Sequence, residues 1–458
     1  MPRQADVLIL GAGVTGLAAA WELGDRAITL ERSSRPGGLV RTHRSGDYWF
    51  DRVLHLLYFQ DPRTEQRVRA LMGDDLAPCA PRAWCETSAG TTRFPFQMHL
   101  GGLEPDARDR CLRDLIEVSK AAGSRRATNF EEHLLGTFGQ AMCDLFLFPY
   151  NRKMWKRPLD SLAPSGFTWN ITPPKLEDVL RGAHETDSRY HAYNSSGWYP
   201  RPSLDSPVRG MEVLSDRLAT QVHDLRTRCN VESIDLDRHE VIAEHAGKLE
   251  RFHYEDALLS TLPLPTLLRL CRGLPAGLRR PIADLPRNRV LSVGLGIRGP
   301  RPEQPGHWRY YADESLIFNR LVFLHEFDPH LAPPDGWPLL VEILEPAEWP
   351  LPSRPALMAR IKRDLERAKA LPPGSRIVRE TAKVIDPAYV VFNEESQHLV
   401  AMAHEMLSGH GVTSLGRYGR WEYSSMASCM RDGFAWAENL AQRAATAGVP
   451  WAKTAAAR

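Results

Sequence analysis

A glycine-rich turn near the start of the chain has the spacing of a dinucleotide-binding motif. Gly11, Gly13 and Gly16 follow a short apolar segment and precede a segment with helical character. Gly11 permits a tight turn, Gly13 lets the backbone approach a pyrophosphate, and Gly16 allows a helix to pack closely on a strand. Glu31 ends the next apolar segment, 20 residues after Gly11, where a carboxylate can bind ribose hydroxyls. The combination predicts a bound dinucleotide whose phosphates lie at a helix N-terminus.

A second glycine pair follows Glu31 closely. In the segment 32–42, Gly37 and Gly38 permit close backbone approach, and Arg41 supplies a positive charge. This extension of the motif resembles that of the amine-oxidase-like flavoproteins, in which it lies along the FAD pyrophosphate and leads towards the isoalloxazine ring. The resemblance implies FAD as the cofactor, rather than NAD.

A third motif lies near the C-terminus, in the segment 415–426. Gly416 and Arg417 precede a predicted helix that starts at Ser424 or Ser425, and serine is a favoured N-cap residue. The N-terminus of this helix would stabilise negative charge on a reduced flavin. The segment resembles the C-terminal FAD motif of the UDP-galactopyranose mutases and their protoporphyrinogen-oxidase-like relatives, Gly-Arg-x-Gly-x-Tyr/Trp-x-Tyr-x-x-Met.

Three further segments resemble these flavoproteins in order and spacing. The segment 51–62 resembles the stretch that places a histidine near the flavin, the segment 148–155 resembles a substrate-side Tyr-x-x-Lys-x-Trp sequence, and the segment 318–321 resembles a strand with a diphosphate-binding arginine. The resemblance implies that the catalytic residues are His55, Arg320, Tyr389 and Tyr423. It implies that the substrate contacts Tyr150, Trp155, Arg320, Tyr389 and Tyr423. The residues expected to bind FAD are Gly11, Gly13, Thr15, Gly16, Glu31, Arg32, Gly38, Leu39, Arg41, Val231, Thr261, Gly416, Arg417, Ser425 and Met426.

The resemblance also implies a reaction. In the mutases, N5 of reduced FAD attacks the anomeric carbon of a nucleotide sugar and displaces the nucleotide diphosphate, and the sugar closes again with the other ring size. We therefore expect a mutase of a nucleotide-activated sugar, with NAD(P)H or another compound as reductant. Arginine and tyrosine are suitable residues for holding the diphosphate. Trp155 is as consistent with a core aromatic residue as with a substrate contact. The alternative role for His55 is a hydrogen bond to the backbone.

Several departures from the family pattern lie on the substrate side. Val53-Leu54 replaces a glycine pair before the histidine, Ser425 and Ala427 replace acids that flank the methionine, and the segment 167–170 lacks a substrate arginine. These departures leave a second function open, a FAD-dependent oxidase or dehydrogenase of the amine oxidase or protoporphyrinogen oxidase type. A flavoprotein that has lost catalysis and serves as a binding partner is the third alternative.

These motifs need an α/β fold to position them. We expect a Rossmann-like FAD-binding domain with a doubly wound parallel sheet, a helical insertion, and a second, largely antiparallel sheet on the substrate side. Predicted strands lie at 5–10, 27–31, 231–242, 257–261, 290–297 and 315–323, and predicted helices at 17–23, 64–72, 105–122, 130–146, 394–408 and 426–444. The FAD-binding domain is predicted to comprise 1–60, 205–275 and 395–458, with a helical and substrate insertion at 61–204 and the second sheet at 276–394.

Composition limits the other classes of function. The chain has 458 residues, a net charge of +2 and no dense run of lysine or arginine, which argues against nucleic-acid binding. It has no apolar stretch of membrane-spanning length and no signal peptide. Its seven dispersed cysteines show neither CxxC nor metal-site spacing, which predicts reduced thiols, no metal and a cytoplasmic location. The expected partner is a small-molecule substrate, and a homodimer is left open.

Overall fold

The computed structural model describes residues 3–120, 126–164, 173–184, 196–275 and 281–446, so the segment 167–170 lies outside the described residues. The strands are Arg3–Leu10 (β1), Ala27–Leu30 (β2), Thr42–Ser45 (β3), Tyr48–Asp51 (β4), Leu76–Cys79 (β5), Ala83–Thr87 (β6), Gly90–Arg93 (β7), Gly197–Pro200 (β8), Asp224–Arg226 (β9), Cys229–Asp235 (β10), Glu240–His245 (β11), Lys248–Ser260 (β12), Arg287–Arg298 (β13), Trp308–Tyr311 (β14), Arg320–Phe323 (β15), Gly336–Pro346 (β16), Arg376–Val390 (β17) and Val412–Ser414 (β18). The α-helices are Val14–Leu23, Pro62–Met72, Pro105–Lys120, Phe130–Phe138, Gln140–Met142, Phe148–Trp155, Leu176–Gly182, Glu212–Ala219, Leu264–Leu270, Arg354–Arg367, Glu394–Gly409, Gly416–Gly419 and Met426–Thr446.

The first sheet has a parallel centre and both faces covered. Its order is β10-β11-β12-β1-β2-β9, with β18 also paired to β12, and β9, β2, β1, β12 and β18 are mutually parallel. Alternate residues of β1 enter two different apolar clusters: Leu8 packs with Leu264 and Leu407, whereas Ile9 packs with Ala20 and Ala437. Burial on both faces is the mark of a doubly wound sheet, and it confirms the predicted Rossmann-like fold.

The second sheet has the order β17-β13-β16-β15-β14-β6-β7. All its neighbours are antiparallel except β14 and β6, which confirms the prediction of a largely antiparallel sheet. Strands β6 and β7 come from a segment that was expected to be helical. The limits of the three domains stay a prediction.

Three predicted elements differ from the structure. The single strand at 231–242 is the hairpin β10–β11, because Asp235 accepts a hydrogen bond from the Arg238 backbone (3.1 Å) and starts a turn. The strand at 315–323 begins only at Arg320, since Asp313 accepts hydrogen bonds from the backbone and hydroxyl of Ser315 (2.8 and 2.6 Å). The helix at 130–146 stops before Gly139, which has φ of 80°.

Three further observations concern the class of protein. None of the helices in the described ranges is long and apolar enough to cross a membrane. All seven cysteines are buried and none forms a disulfide bond, in agreement with the expectation of reduced thiols. Among the described residues, no cluster of His, Cys, Asp and Glu side chains is placed to hold a metal ion. The cytoplasmic location and the oligomeric state stay predictions.

Candidate functional site

The three glycines of the first turn have different surroundings. Gly11 has φ of 98°, and a Cβ atom there would lie 2.5 Å from the hydroxyl of Thr261. A Cβ atom at Gly16 would lie 2.0 Å from the carbonyl oxygen of Gly11, so the helix Val14–Leu23 and the turn can approach only through glycine. A Cβ atom at Gly13 would meet nothing within 4 Å. The turn therefore has tight packing behind it and open space in front, at a helix N-terminus that no side chain caps.

Glu31 lies at the end of β2, as the motif predicts. Its two carboxylate oxygens accept hydrogen bonds from the backbone N–H groups of Ala12 (3.0 Å) and Ser33 (2.8 Å). A carboxylate has about four acceptor positions, so two remain for ribose hydroxyls. The backbone N–H of Cys229 donates to the Glu31 carbonyl (2.9 Å), which brings β10, with Val231, beside this end of the sheet. Arg32 is exposed to solvent.

The second glycine pair lies directly on the first turn. Gly37 has φ of 112° and its N–H donates to the carbonyl of Ala12 (2.8 Å). A Cβ atom at Gly38 would lie 3.5 Å from Cα of Gly13. Nearby, Nε of Arg41 is buried without a hydrogen-bond partner. A buried cationic nitrogen without an acceptor fits a missing anion. Leu39, in contrast, packs against an apolar cluster.

The C-terminal motif also reaches the first turn. Gly416 has φ of 80°, and a Cβ atom there would lie 2.8 Å from Oγ1 of Thr15. The helix Met426–Thr446 begins where the sequence predicts, because the backbone N–H of Ser428 donates to Oγ of Ser425 (3.0 Å). We call the segments 11–16 and 37–41, together with Gly416, the cofactor region. Its open glycine, uncapped helix end and unpartnered arginine nitrogen fit the pyrophosphate of FAD.

Beyond the cofactor region, Arg417 lies among carbonyl groups and aromatic rings. Its guanidinium donates to the carbonyls of Ser424 (3.2 Å) and Ala388 (3.4 Å). Its carbon atom Cζ lies 5.0 to 5.8 Å from the centroids of three tyrosine rings, Tyr389, Tyr418 and Tyr423. Within the described residues Arg417 forms no ion pair, so its charge is stabilised by dipoles and π faces and stays available to an anion.

Arg320 has a different environment. Its Nε lies 2.6 Å from Oε2 of Glu342, whose side chain is only 3% exposed, and the two form an ion pair. The other oxygen of Glu342 accepts the backbone N–H of Leu54 (2.8 Å). The predicted diphosphate-binding arginine thus already has a carboxylate partner. Sequence reasoning missed Glu342, although a single acid in the apolar run 337–344 is a signal for a buried partner.

His55 lies close to both arginines. Burial, followed by the positive charges of Arg417 and Arg320, lowers its pKa to about 3. Its Nδ1 is buried without a partner, and the ring also makes a hydrogen bond to the backbone of Val53. The imidazole is therefore neutral at pH 7 and can donate or accept a hydrogen bond, but it carries no charge. We call His55, Arg320, Tyr389, Arg417 and Tyr423 the substrate chamber.

Trp155 lies behind the tyrosines of the chamber. Its ring centroid is 6.4 Å from those of Tyr389 and Tyr423, it is 2% exposed, and its Nε1 donates to Asn151 (3.2 Å). The hydroxyl of Tyr423 donates to the carbonyl of Val390. Trp155 therefore supports the two tyrosines from the core side, which is the alternative that its sequence left open. Its contact with substrate stays a prediction.

Tyr150 joins the chamber through the second sheet. Its ring packs edge-on against Tyr310 (5.5 Å between centroids), and the Tyr310 hydroxyl lies 3.4 Å from Arg320. Lys153, on the same helix as Tyr150, is 1% exposed. Its ammonium group donates to three backbone carbonyls at 2.8 to 2.9 Å, those of Tyr311, Asp313 and Phe318. Lys153 fastens this helix to the end of β14 and the loop before β15, a role that the sequence motif alone does not reveal.

Comparison with known proteins gives one matching family model and several solved structures of similar fold. A family model described as flavin containing amine oxidoreductase matches residues 14–391. A solved structure of reduced UDP-galactopyranose mutase superposes with a TM-score of 0.85 at 21% identity, covering 98% of this chain and 96% of that one. A protein from Exiguobacterium sp. 255-15, assigned as a protoporphyrinogen oxidase, superposes with a TM-score of 0.67 at 17% identity, covering 96% of this chain and 99% of that one. Putrescine oxidase bound to putrescine superposes with a TM-score of 0.60 at 15% identity, covering 97% of this chain and 100% of that one. Similarity at these identities is similarity of fold.

Proposed function

Since the chain belongs to the flavin containing amine oxidoreductase family, we propose that it is a FAD-dependent mutase that exchanges the pyranose and furanose forms of a nucleotide-activated sugar. The family implies the flavin, and the cofactor region supplies residues for it: Gly13 and the helix N-terminus for the pyrophosphate, Arg41 for its charge and Glu31 for the ribose. Reduced FAD, when bound, would supply the nucleophilic nitrogen N5 for the anomeric carbon.

The observation that carries the proposal is that two arginine side chains lie close to one histidine, His55. Arg417 and Arg320 both lie close enough to His55 to lower its pKa, and Arg417 forms no ion pair within the described residues. Positive charge in a partly desolvated chamber attracts a diphosphate and repels an ammonium ion. An anionic nucleotide substrate suits this chamber better than an amine.

The residues of the chamber then have distinct tasks. Arg417 is held by carbonyls and rings, so it can bind one phosphate without first breaking an ion pair. Arg320 uses two of its nitrogens for Glu342, and a guanidinium has five N–H donors, so it can bind a second oxyanion beside that carboxylate. Tyr389 and Tyr423 form walls that exclude water. His55 stays neutral and can hold a sugar hydroxyl or a ring atom of the cofactor through its unpartnered Nδ1.

Glu342 favours a second candidate, a FAD-dependent oxidase or dehydrogenase of the amine oxidase or protoporphyrinogen oxidase type. Because this carboxylate neutralises Arg320, the net charge of the chamber is smaller than two arginines suggest. A chamber with one effective positive charge and several aromatic rings also suits a planar or weakly charged substrate. This function needs an electron acceptor such as oxygen and gives an oxidised product.

Ligand titration separates the two candidates. The FAD-loaded protein is titrated with UDP-galactopyranose, other nucleotide sugars, and putrescine, and the flavin absorbance is recorded. We expect the nucleotide sugars to perturb the spectrum and the amine to leave it unchanged. The affinity for the nucleotide sugar should fall about tenfold or more in Arg417→Met, since a charge-assisted hydrogen bond is lost.

The matched control is Arg152→Met, which removes an exposed arginine stacked on Phe148, on the helix of Tyr150. It should bind the sugar like the native protein. Flavin content is measured in each variant, so that loss of cofactor is not mistaken for loss of substrate. Perturbation by putrescine alone, with release of hydrogen peroxide, would contradict the mutase and support the oxidase.

A further inference from the structure

A pair of arginines flanks the hairpin β3–β4, with Arg41 directly before β3 and Arg52 directly after β4. The backbone N–H of Arg52 donates to the carbonyl of Arg41 (3.2 Å), which continues the register that pairs Thr42 with Asp51. Directly opposite residues of an antiparallel pair project from the same face, with Cβ atoms about 5 Å apart. Arg41 was expected to contact the cofactor, whereas nothing in the sequence motifs assigned a role to Arg52.

Like charges in these positions need a counter-charge. The carboxylates of Glu212 and Glu31 act to raise the pKa of Arg52, but from beyond ion-pair distance in the described residues. Within them, neither Arg41 nor Arg52 forms an ion pair, and the buried carboxylate of Glu212 pairs with Arg35 (2.8 Å). The pKa of Arg52 is lowered by burial and then by the charge of Arg41. Nε of Arg41 is buried without a partner. Two adjacent, half-buried guanidinium groups without an ion-pair partner favour the binding of an anion between them.

Arg52 also reaches the open side of the glycine turn. Its Nη1 donates to the carbonyl of Gly38 (3.0 Å), and Gly38 lies against Gly13, the glycine with open space in front of it. A cavity of about 70 Å³ borders both arginines, and the polar side chains of Arg35, His43, Asp51 and Lys383 also line it. The pKa of His43 is lowered by burial and by three of these cations, Lys383, Arg35 and Arg52. An anion held by both arginines would therefore lie beside Gly38, next to the turn.

We propose that Arg52 is a second cofactor-binding arginine, which holds the pyrophosphate of FAD together with Arg41. This inference rests on the FAD cofactor of the proposed function, but not on the reaction. Arg41 approaches from the segment that follows Gly38 and Arg52 from the strand that leads to His55. Arg52 lies three positions before His55, so one short segment would connect the pyrophosphate to the histidine of the substrate chamber.

The test is the affinity of the apoprotein for FAD, measured by quenching of flavin fluorescence. Arg52→Met should weaken FAD binding about tenfold or more, because a charge-assisted hydrogen bond is lost. Arg52→Lys keeps the charge and should retain most of the affinity. Arg52→Gln keeps a donor for the Gly38 carbonyl but removes the charge, and it should bind FAD as weakly as Arg52→Met. The control is Arg44→Met, on the same hairpin, where the exposed side chain lies over Trp49; its affinity should equal that of the native protein.

Each outcome of these FAD titrations either supports the proposed role of Arg52 or overturns it. If Arg52→Gln binds FAD like the native protein, Arg52 only positions the Gly38 loop and the proposal is wrong. If Arg52→Met also keeps native affinity, Arg52 has no role in binding. If the native apoprotein takes up no FAD, this inference and the proposed cofactor fall together. Absence of ring isomerisation, in contrast, would overturn the mutase and leave the FAD affinities unchanged. Circular dichroism spectra identify any variant that fails to fold, and Arg52→Lys and Arg52→Gln replace Arg52→Met in that case.

Discussion

The cofactor region and the substrate chamber are built in different ways. The shape of the cofactor region is set mainly by backbone: Gly11, Gly37 and Gly416 have positive φ, and Gly16 touches a carbonyl that no Cβ atom could approach. The chamber consists of long side chains whose charge depends on distant partners, as Arg320 depends on Glu342. A site made of backbone tolerates few residue types at each position, whereas a site made of side chains can change its chemistry through a single partner.

The largest expected effect tests the backbone nature of the cofactor region. Gly13→Val would place two methyl groups in the open space before the turn, so bound flavin should be lost entirely while the fold is kept. Flavin absorbance per protein and a thermal melt measure the two properties. Gly136→Val is the control, because a Cβ atom there also meets nothing within 4 Å but lies in the helix Phe130–Phe138. A normal flavin content in Gly13→Val would refute the assignment of the turn.

The next effect tests the chamber. Arg320→Met leaves Glu342 buried without its partner and should lower the free energy of unfolding by about 3 kcal/mol. The double variant Arg320→Met/Glu342→Gln removes both charges and should recover most of this loss without restoring affinity for a nucleotide sugar. Urea unfolding and substrate titration provide the two readouts. If the double variant also regains substrate affinity, the pair is structural and the diphosphate binds elsewhere.

A smaller effect distinguishes packing from cofactor binding within the cofactor region. Gly16→Ala forces a methyl group to within 2.0 Å of the Gly11 carbonyl and should destabilise the apoprotein by about 2 kcal/mol. The loss should appear in urea unfolding even without FAD. Gly136→Ala, in a helix with free space, should be neutral or stabilising. An unchanged unfolding midpoint in Gly16→Ala would show that the helix and turn are not packed as described.

The smallest effect concerns histidines and pH. Burial, and then the charges of Arg82 and Arg201, lower the pKa of His307 to about 4, and its Nδ1 accepts the Arg82 N–H (3.1 Å). The unfolded chain binds this proton near pH 6.5, so stability should fall as pH falls below 6.5, by about 1 kcal/mol at pH 5.5. His307→Gln should reduce this slope in urea unfolding between pH 7.5 and 5.5. An identical slope in the variant would mean that His307 titrates normally.

The difference between the cofactor region and the substrate chamber explains which features could be predicted from the sequence. The roles of Gly11, Gly13, Gly16 and Glu31 follow from local spacing, because a turn and the helix after it form within one short segment. The doubly wound sheet follows from the same segment and the later apolar runs. Ser425 was predicted as a helix start by its chemistry alone.

The features that could not be predicted from the sequence depend on contacts between distant segments. Glu342 contacts Arg320 because β15 and β16 pair in register. Lys153 donates to three carbonyls of residues more than 150 positions later in the chain. The role of Trp155 as a support could not be separated from substrate contact, since both explain an aromatic residue at that position. The sequence predicts one strand for the hairpin at 229–245 because its turn, 236–239, contains neither glycine nor proline and begins with the apolar Leu236.

The central claim is that an anionic sugar substrate is isomerised without net oxidation. The most direct test is an anaerobic incubation of dithionite-reduced, FAD-loaded protein with UDP-galactopyranose and other nucleotide sugars, in which product and consumed reductant are both counted. We predict many molecules of the furanose isomer per flavin, no further consumption of reductant, and no isomer from the oxidised protein. A dehydrogenated product formed by the oxidised protein, with one hydrogen peroxide per turnover in air, would contradict the account.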